Sequence, residues 1–199
     1  GTPIGFLIRN KDQRSGDYEA LKDVYRPSHA DFTSEAKYGI RDFRGGGRTS
    51  ARETAARVAA GALAMQLLRD QGISVQAWVS SIGTISASDS VMFEEKDIFS
   101  NAVRCPDPKA ASLMENLISE TAAAGDTLGG VISCRITGVP AGIGEPVFDK
   151  LNADLAKAMM SINAAKGFES GMGFAAASMK GSEHNDAFVA NEGVISTQT

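Results

Sequence analysis

Apolar residues along this chain keep two rhythms, separated by a long stretch with neither. "IGFLI" (Ile4 to Ile8) is a short unbroken apolar run, which predicts a buried strand. From Arg9 to Gly47 polar residues dominate and periodicity is weak. Apart from a helical chance at Tyr18 to Val24, that stretch reads as loop. So long a loop inside a domain is functional or disordered. Tyr18, Tyr25, Phe32, Tyr38 and Phe43 give it more aromatic content than plain disorder carries.

From residue 50 the pattern becomes regular. Ser50-Ala51-Arg52-Glu53 fits a capping box, in which Ser50 accepts from the amide three residues on and Glu53 reaches back. The helix it opens should run to about Arg69 and close near Gly72. "ISVQAWVSSIGTIS" alternates and predicts a strand, and residues 86–107 read as irregular. "PKAASLMENLISETAAAGD" predicts an amphipathic helix ending at Gly125, and "TLGGVISCRITGVP" a strand broken by Gly138 and Pro140. "GIGEPVFDKLNADLAKAMMSI" predicts a glycine turn and a helix, and residues 165–182 one or two short strands. The tail from Glu183 reads as polar, and Met159, Met160 and Met172 as core filler. Helices alternating with strands of one covered face predict an α+β fold, with helices layered on sheets in a single domain over 1–199.

Composition adds little to the fold but bounds the function. The 199 residues are 43% hydrophobic and 22% charged, which is ordinary for a globular chain. Net charge is −4, unevenly spread: residues 1–60 carry a balance of +3 and residues 61–199 one of −7. A local cationic site in an acidic protein suits a small anionic ligand and no nucleic acid. Cys105 and Cys134 share no metal-binding spacing, and a reduced compartment is the simplest inference. No apolar run reaches membrane-spanning length, and the first residues lack the pattern of a signal peptide, so no membrane partner and a cytoplasmic location are expected.

The chemistry concentrates in "RDFRGGGRTSARE", Arg41 to Glu53. Three glycines let backbone approach a ligand closely, and a helix start offers unpaired N–H groups and partial positive charge. Arg44, Arg48 and Arg52 add planar donors for phosphate or carboxylate. The block has no P-loop lysine, so it is not a Walker A loop. The alternative is an ordinary loop whose arginines pair with Asp31, Asp42 and Glu53. His29, in "YRPSHAD", is either a proton donor to an anionic ligand or a loop histidine bonded to Asp31. His184 reads as a solvated rim residue, "GVPAGIGEP" as a structural turn, and Asn163 in "SINAAKG" as a helix C-cap.

Taken together, "GTPIGFLIRNKDQRSGDY", "RPSHADFT", "KYGIRDFRGGGRTSARETAARVAAGALA", "GVPAGIGEPVFDKLNADLAKAMMSINAAKGFE" and "KGSEHND" resemble chorismate synthase, in order and from Gly1 to Thr199. The resemblance implies a β-α-β sandwich, usually assembled as a homotetramer. It implies a lyase that converts 5-enolpyruvylshikimate 3-phosphate to chorismate and phosphate, by an anti-1,4-elimination that requires reduced FMN, with an association with NADP. It assigns Arg48, Thr49 and Ser50, with Asn163 and Ala164, to FMN binding. Arg26 and Arg52 fall on positions that hold substrate anions, and His29 on an active-site histidine beside the flavin.

Two positions depart from the family pattern. Ser28 stands where a glycine precedes the histidine, and Thr49 where serine is common. A Ser28 backbone at positive φ would be mildly strained. The resemblance also implies that a further histidine, an arginine-rich segment, a flavin loop and a late aspartate of the family lie outside residues 1–199. The chain then corresponds to the central portion, with 9–47 as a mobile active-site loop. A second reading is a non-catalytic anion-binding or assembly module.

Overall fold

The computed structural model describes residues 1–199 except 13, 45–49, 192, 198 and 199. The chain divides into two compact units, Gly1–Ala55 joined with Gly142–Thr199, and Ala56–Ala141. The fold is α+β, with helices and antiparallel strands interspersed along the chain.

The second unit is built on one sheet. Helix α1 (Asp31–Tyr38) belongs to the first unit; α2 (Thr54–Asp70) opens at its border and supplies the second unit's first element. It ends as the sequence predicts. Gly72 takes φ +76, its N–H reaches the Arg69 carbonyl, and the Ile73 N–H reaches that of Leu68. Glycine is favoured there because the left-handed backbone carries no Cβ penalty.

Strand β1 (Ser74–Ile82) follows, pairing with β2 (Ile85–Ser86) and, across 130–137, with β3 (Gly130–Thr137), in the order β2-β1-β3. The strand predicted over 73–86 is therefore a hairpin, turned at Gly83 with φ +55. Between its partners the chain forms α3 (Glu95–Ile98) and α4 (Pro108–Ala123). Asp107 caps α4, accepting from the Lys109 and Ala110 amides at 2.9 and 3.2 Å, and Pro108 suits the first helical position.

The core lies where α4 meets this sheet. Met114, Cys105, Ala110 and Ala111 are buried, with Val79, Ile82, Ile85, Ala87 and Val103 packed around them. Burying a side chain like Met114 contributes about 2 kcal/mol. On the sheet's other face Trp78 meets Phe93 edge-on at 4.9 Å. The Arg135 guanidinium lies over both rings and donates to Gln76 at 2.9 Å.

The first unit has no such core. It holds a 3-10 helix (Ser15–Leu21), α1, a 3-10 turn (Ala51–Glu53) leading into α2, and a small hairpin of β4 (Gly144–Glu145) and β5 (Asp149–Lys150). Then come α5 (Leu151–Met160), a 3-10 helix (Gly173–Ser178), α6 (Gly181–His184), and a hairpin of β6 (Phe188–Asn191) and β7 (Val194–Thr197). Among residues of this unit whose burial is described, the single buried one is Asp31.

Several sequence expectations fail here. Ile4 to Ile8 form no strand: a strand needs a neighbour's amides, and these apolar side chains are exposed. The predicted strands over 165–182 are instead a 3-10 helix through "GFAAAS", whose alanines suit helical backbone. The polar tail contains the β6–β7 hairpin. Met159, Met160 and Met172 are exposed: no residue of α5 is buried, and Met172 stands at the start of the equally unburied 3-10 helix.

Candidate anion-binding site

The stretch R-P-S-H-A-D folds as a turn running into a helix. Pro27 fixes φ near its ring value, and the His29 N–H returns to the Arg26 carbonyl at 3.3 Å. That geometry puts Ser28 in the left-handed position, at φ 60, as expected for a residue standing in place of glycine. Asp31 then begins α1.

The Asp31 carboxylate is the centre of this segment. It accepts from the Arg26 amide at 3.0 Å, from Arg26 Nε at 2.9 Å and from Arg26 Nη2 at 2.9 Å. Arg41 Nη1 lies 3.3 Å from Oδ2, the same oxygen that accepts from the Arg26 amide and Nε. The Arg41 guanidinium also donates to the carbonyls of Val24 at 2.9 Å, Leu21 at 3.1 Å and Lys22. The Leu21 and Lys22 carbonyls end the 15–21 helix, where a cation offsets the partial negative charge. Arg41 stacks over Tyr25 at 5.2 Å and Arg26 over Tyr18 at 5.9 Å. Tyr25 in turn donates to Glu35 at 3.0 Å and meets Phe32 edge-on. Tyr18 and Tyr25, with Phe32 beside Tyr25, thus support Arg26 and Arg41, while Tyr38 and Phe43 lie against Lys37 and Lys22.

Two guanidiniums face the Asp31 carboxylate, and the Glu35 carboxylate lies at the hydroxyl end of the Tyr25 ring. The Arg26 hydrogen bonds, with Arg41 nearby, hold the Asp31 carboxyl well below the usual carboxylate range. Arg41 is nearly enclosed, with 9% of its side chain exposed, whereas Arg26 keeps 30%.

His29 lies exposed, its Nδ1 3.0 Å from the Pro27 carbonyl. Facing a carbonyl, Nδ1 must be the donor, which leaves Nε2 as the ring nitrogen without a protein partner in this contact. The predicted alternative of a His29–Asp31 hydrogen bond is not formed, because the arginines occupy Asp31. Arg44 pairs with Asp42 at 2.9 Å on the surface, as the ordinary-loop reading expects.

Gly45, Gly46, Gly47, Arg48 and Thr49 lie outside the described residues, and with them two of the predicted cofactor contacts. Ser50 is described. It is the N-cap of the 51–53 turn, but its Oγ accepts from the Arg52 amide at 3.3 Å, one residue earlier than a capping box requires. The first turn is 3-10, tighter than α, which brings the nearer amide into reach. Arg52 is exposed at this helix start.

Asn163 and Ala164 occupy the turn after α5, closed by the Ala165 N–H on the Ile162 carbonyl at 3.2 Å, with Ala164 at φ 67. The C-cap of α5 is Ser161, not Asn163, so the capping reading fails and Asn163 is exposed on the turn. In "GVPAGIGEP" the structural reading is supported: a Cβ on Gly144 would lie 2.6 Å from the Leu151 amide nitrogen, so its bareness serves the hairpin. His184 ends α6, exposed.

The structure therefore sets the predicted residues on three turns: Arg26 with His29, Ser50 with Arg52, and Asn163 with Ala164. Sequence reasoning missed Asp31 and Arg41 as site residues. Their signal was present, an aspartate five residues beyond Arg26 at a helix start and an arginine inside the cationic block. Among the described residues, no group of His, Cys, Asp or Glu is arranged to hold a metal, and no helix is long and apolar enough to cross a membrane. A hollow lined by Met65, Leu68, Arg69, Ile73, Ser74, Val75 and Glu95 contains none of the predicted site residues.

Comparison with known proteins matches residues 1–199 to the family described as Chorismate synthase. The chorismate synthase of Parabacteroides distasonis is 56% identical over 200 residues, covering 100% of this chain and 56% of that protein. That of Christiangramia forsetii is 58% identical over 94% of this chain and 53% of its own length. That of Prochlorococcus marinus is 55% identical over 100% and 56%. A crystal structure of chorismate synthase aligns with a TM-score of 0.76 and 34% identity, over 84% of this chain and 55% of that one. The chain spans about half the length of the curated relatives it matches.

Proposed function

We propose, from the premise that this chain belongs to the chorismate synthase family, that it supplies part of the active site of a lyase. The reaction is the anti-1,4-elimination of phosphate from 5-enolpyruvylshikimate 3-phosphate to give chorismate. The observation that carries this reading is the family match along the whole chain.

The substrate bears a phosphate and two carboxylates, so the site must supply several fixed cations. Arg26 and Arg52 take this role, Arg26 held in one orientation by Asp31 and Arg52 exposed at a helix start. Preorganised charge of this kind stabilises a departing phosphate without reorganisation. His29, with Nδ1 occupied by Pro27, gives or takes a proton at Nε2.

The donor set also fits FMN. Arg48, Thr49 and Ser50 offer guanidinium and hydroxyl donors to a phosphate, and the exposed Asn163 amide both donates and accepts beside Ala164, as a heterocycle edge requires. Reduced FMN, when bound, supplies electron density to the elimination with no net redox change. The same reading carries a homotetrameric assembly, a cytoplasmic location and a link to NADP for the reduced flavin.

Anaerobic titration of the chain with reduced FMN tests it, with phosphate release measured alongside. Arg48→Ala should weaken FMN binding about tenfold or more, the loss of one charge-assisted hydrogen bond. Identical titrations for wild type and Arg48→Ala overturn the flavin site. Binding without phosphate release supports the non-catalytic module for the isolated chain.

A further inference from the structure

We propose that Asp31 is the positioning residue of the anion site, aiming Arg26 at the ligand without touching it. This rests on the function proposed above and adds a residue to it.

Four observations converge. Asp31 is the one buried residue described in a unit without a buried apolar core, so its ion pairs do the organising that apolar packing does elsewhere. Its carboxylate binds Arg26 side-on through Nε and Nη2 while also accepting the Arg26 amide. Both ends of that arginine are therefore fixed, and the N–H groups on the opposite edge of the planar guanidinium point away from Asp31. Arg41, by contrast, is spent on three carbonyls and Asp31 and is nearly enclosed. Finally, the turn that Asp31 locks carries His29 outward, three residues from Arg26.

A carboxylate beside an anion site repels the ligand, by Coulomb's law alone. Its presence is reasonable only if orientation of Arg26 outweighs that repulsion. The two effects predict opposite signs for one substitution. If the site were a simple sum of charges, Asp31→Asn would tighten anion binding. If Asp31 positions Arg26, Asp31→Asn weakens it although the protein gains positive charge.

The test titrates inorganic phosphate, then 5-enolpyruvylshikimate 3-phosphate, into wild type, Asp31→Asn, Arg26→Lys and the double variant by calorimetry. Asp31→Asn should bind about tenfold more weakly, and the double variant no more weakly than Arg26→Lys alone. Binding by Asp31→Asn equal to or tighter than wild type overturns the proposal, as does an equal loss in both backgrounds. A wild-type measurement stands independent of whether the variants fold. The Arg26 Nε–H resonance should stay in place through the phosphate titration while its Nη resonances shift. Movement of Nε–H to an unbonded position would show the ligand displacing Asp31 and refute the role. Failure of wild type to bind either ligand removes the proposed function itself, whereas tight binding by Asp31→Asn removes only the part given to Asp31.

Discussion

Ser28 and Ala164 hold the same place in two turns: each is the third residue of a hydrogen-bonded four, each is left-handed, and neither is glycine. Each also adjoins a residue assigned to the site, His29 or Asn163. Backbone of this kind costs a non-glycine residue about 1–2 kcal/mol and gathers at binding sites. Ser28→Gly and Ala164→Gly should therefore each raise stability, by about 1 kcal/mol once the looser unfolded chain is counted. Urea midpoints followed by circular dichroism check this, and a loss of stability in either variant contradicts it.

Acid should loosen the segment around Asp31. Its folded pKa lies below the unfolded value, so its contribution to stability is complete above the ordinary carboxylate pKa of about 4 and drains away as pH falls further. The urea midpoint of wild type should exceed that of Asp31→Asn at pH 6, and the gap should close below pH 4. A gap that widens in acid reverses the sign and sinks the assignment.

Asp107 joins two distant stretches through one carboxylate. It caps α4 and accepts the Ser88 amide at 3.2 Å, and the Ser88 bond, with those of Ala110 and Lys109, holds its pKa low. Asp107→Ala leaves those amides without their acceptor and should cost about 2 kcal/mol. Asp107→Asn, which keeps one carbonyl oxygen, should recover part of it. Chemical denaturation of both variants decides.

Met114 is fully buried at the α4–sheet contact. Met114→Ala should destabilise the second unit by about 2–5 kcal/mol through lost contact and a cavity. Hydrogen exchange of the β1 and β3 amides provides the reading, and unchanged protection there would show the packing to be dispensable.

Where one segment carries its own instructions, the sequence was legible. Helix α4 has its cap, its proline and its apolar stripe within "DPKAASLMENL", and α2 has its closing Gly72, so α4 and the end of α2 appear within a residue or two of expectation, whereas the start of α2 is displaced to Thr54 by the 3-10 turn before it. Ile4 to Ile8 was not legible, because its pattern says what it would bury but names no partner. The β6–β7 hairpin was missed although two short apolar runs, Phe188 to Ala190 and Val194 to Ile195, flank Gly193 at φ 82; the surrounding polar residues hid it. In the candidate site, residue types pointed to a cationic turn, and the fold gathers Arg26 and Arg41 around Asp31 there. Which arginine faces inward was not legible, since Arg26 and Arg41 differ only in what the fold places beside them.

Trp78 is the single tryptophan of the chain, and it sits in the second unit between Phe93 and the Arg135 guanidinium. Light absorbed at the red edge of the ultraviolet band therefore reports on one half of the polypeptide and is blind to the half that holds Arg26 and His29. Intrinsic emission and a dye-labelled reporter in the arginine segment would give two separable melting curves from one sample, and their order would tell which half yields first.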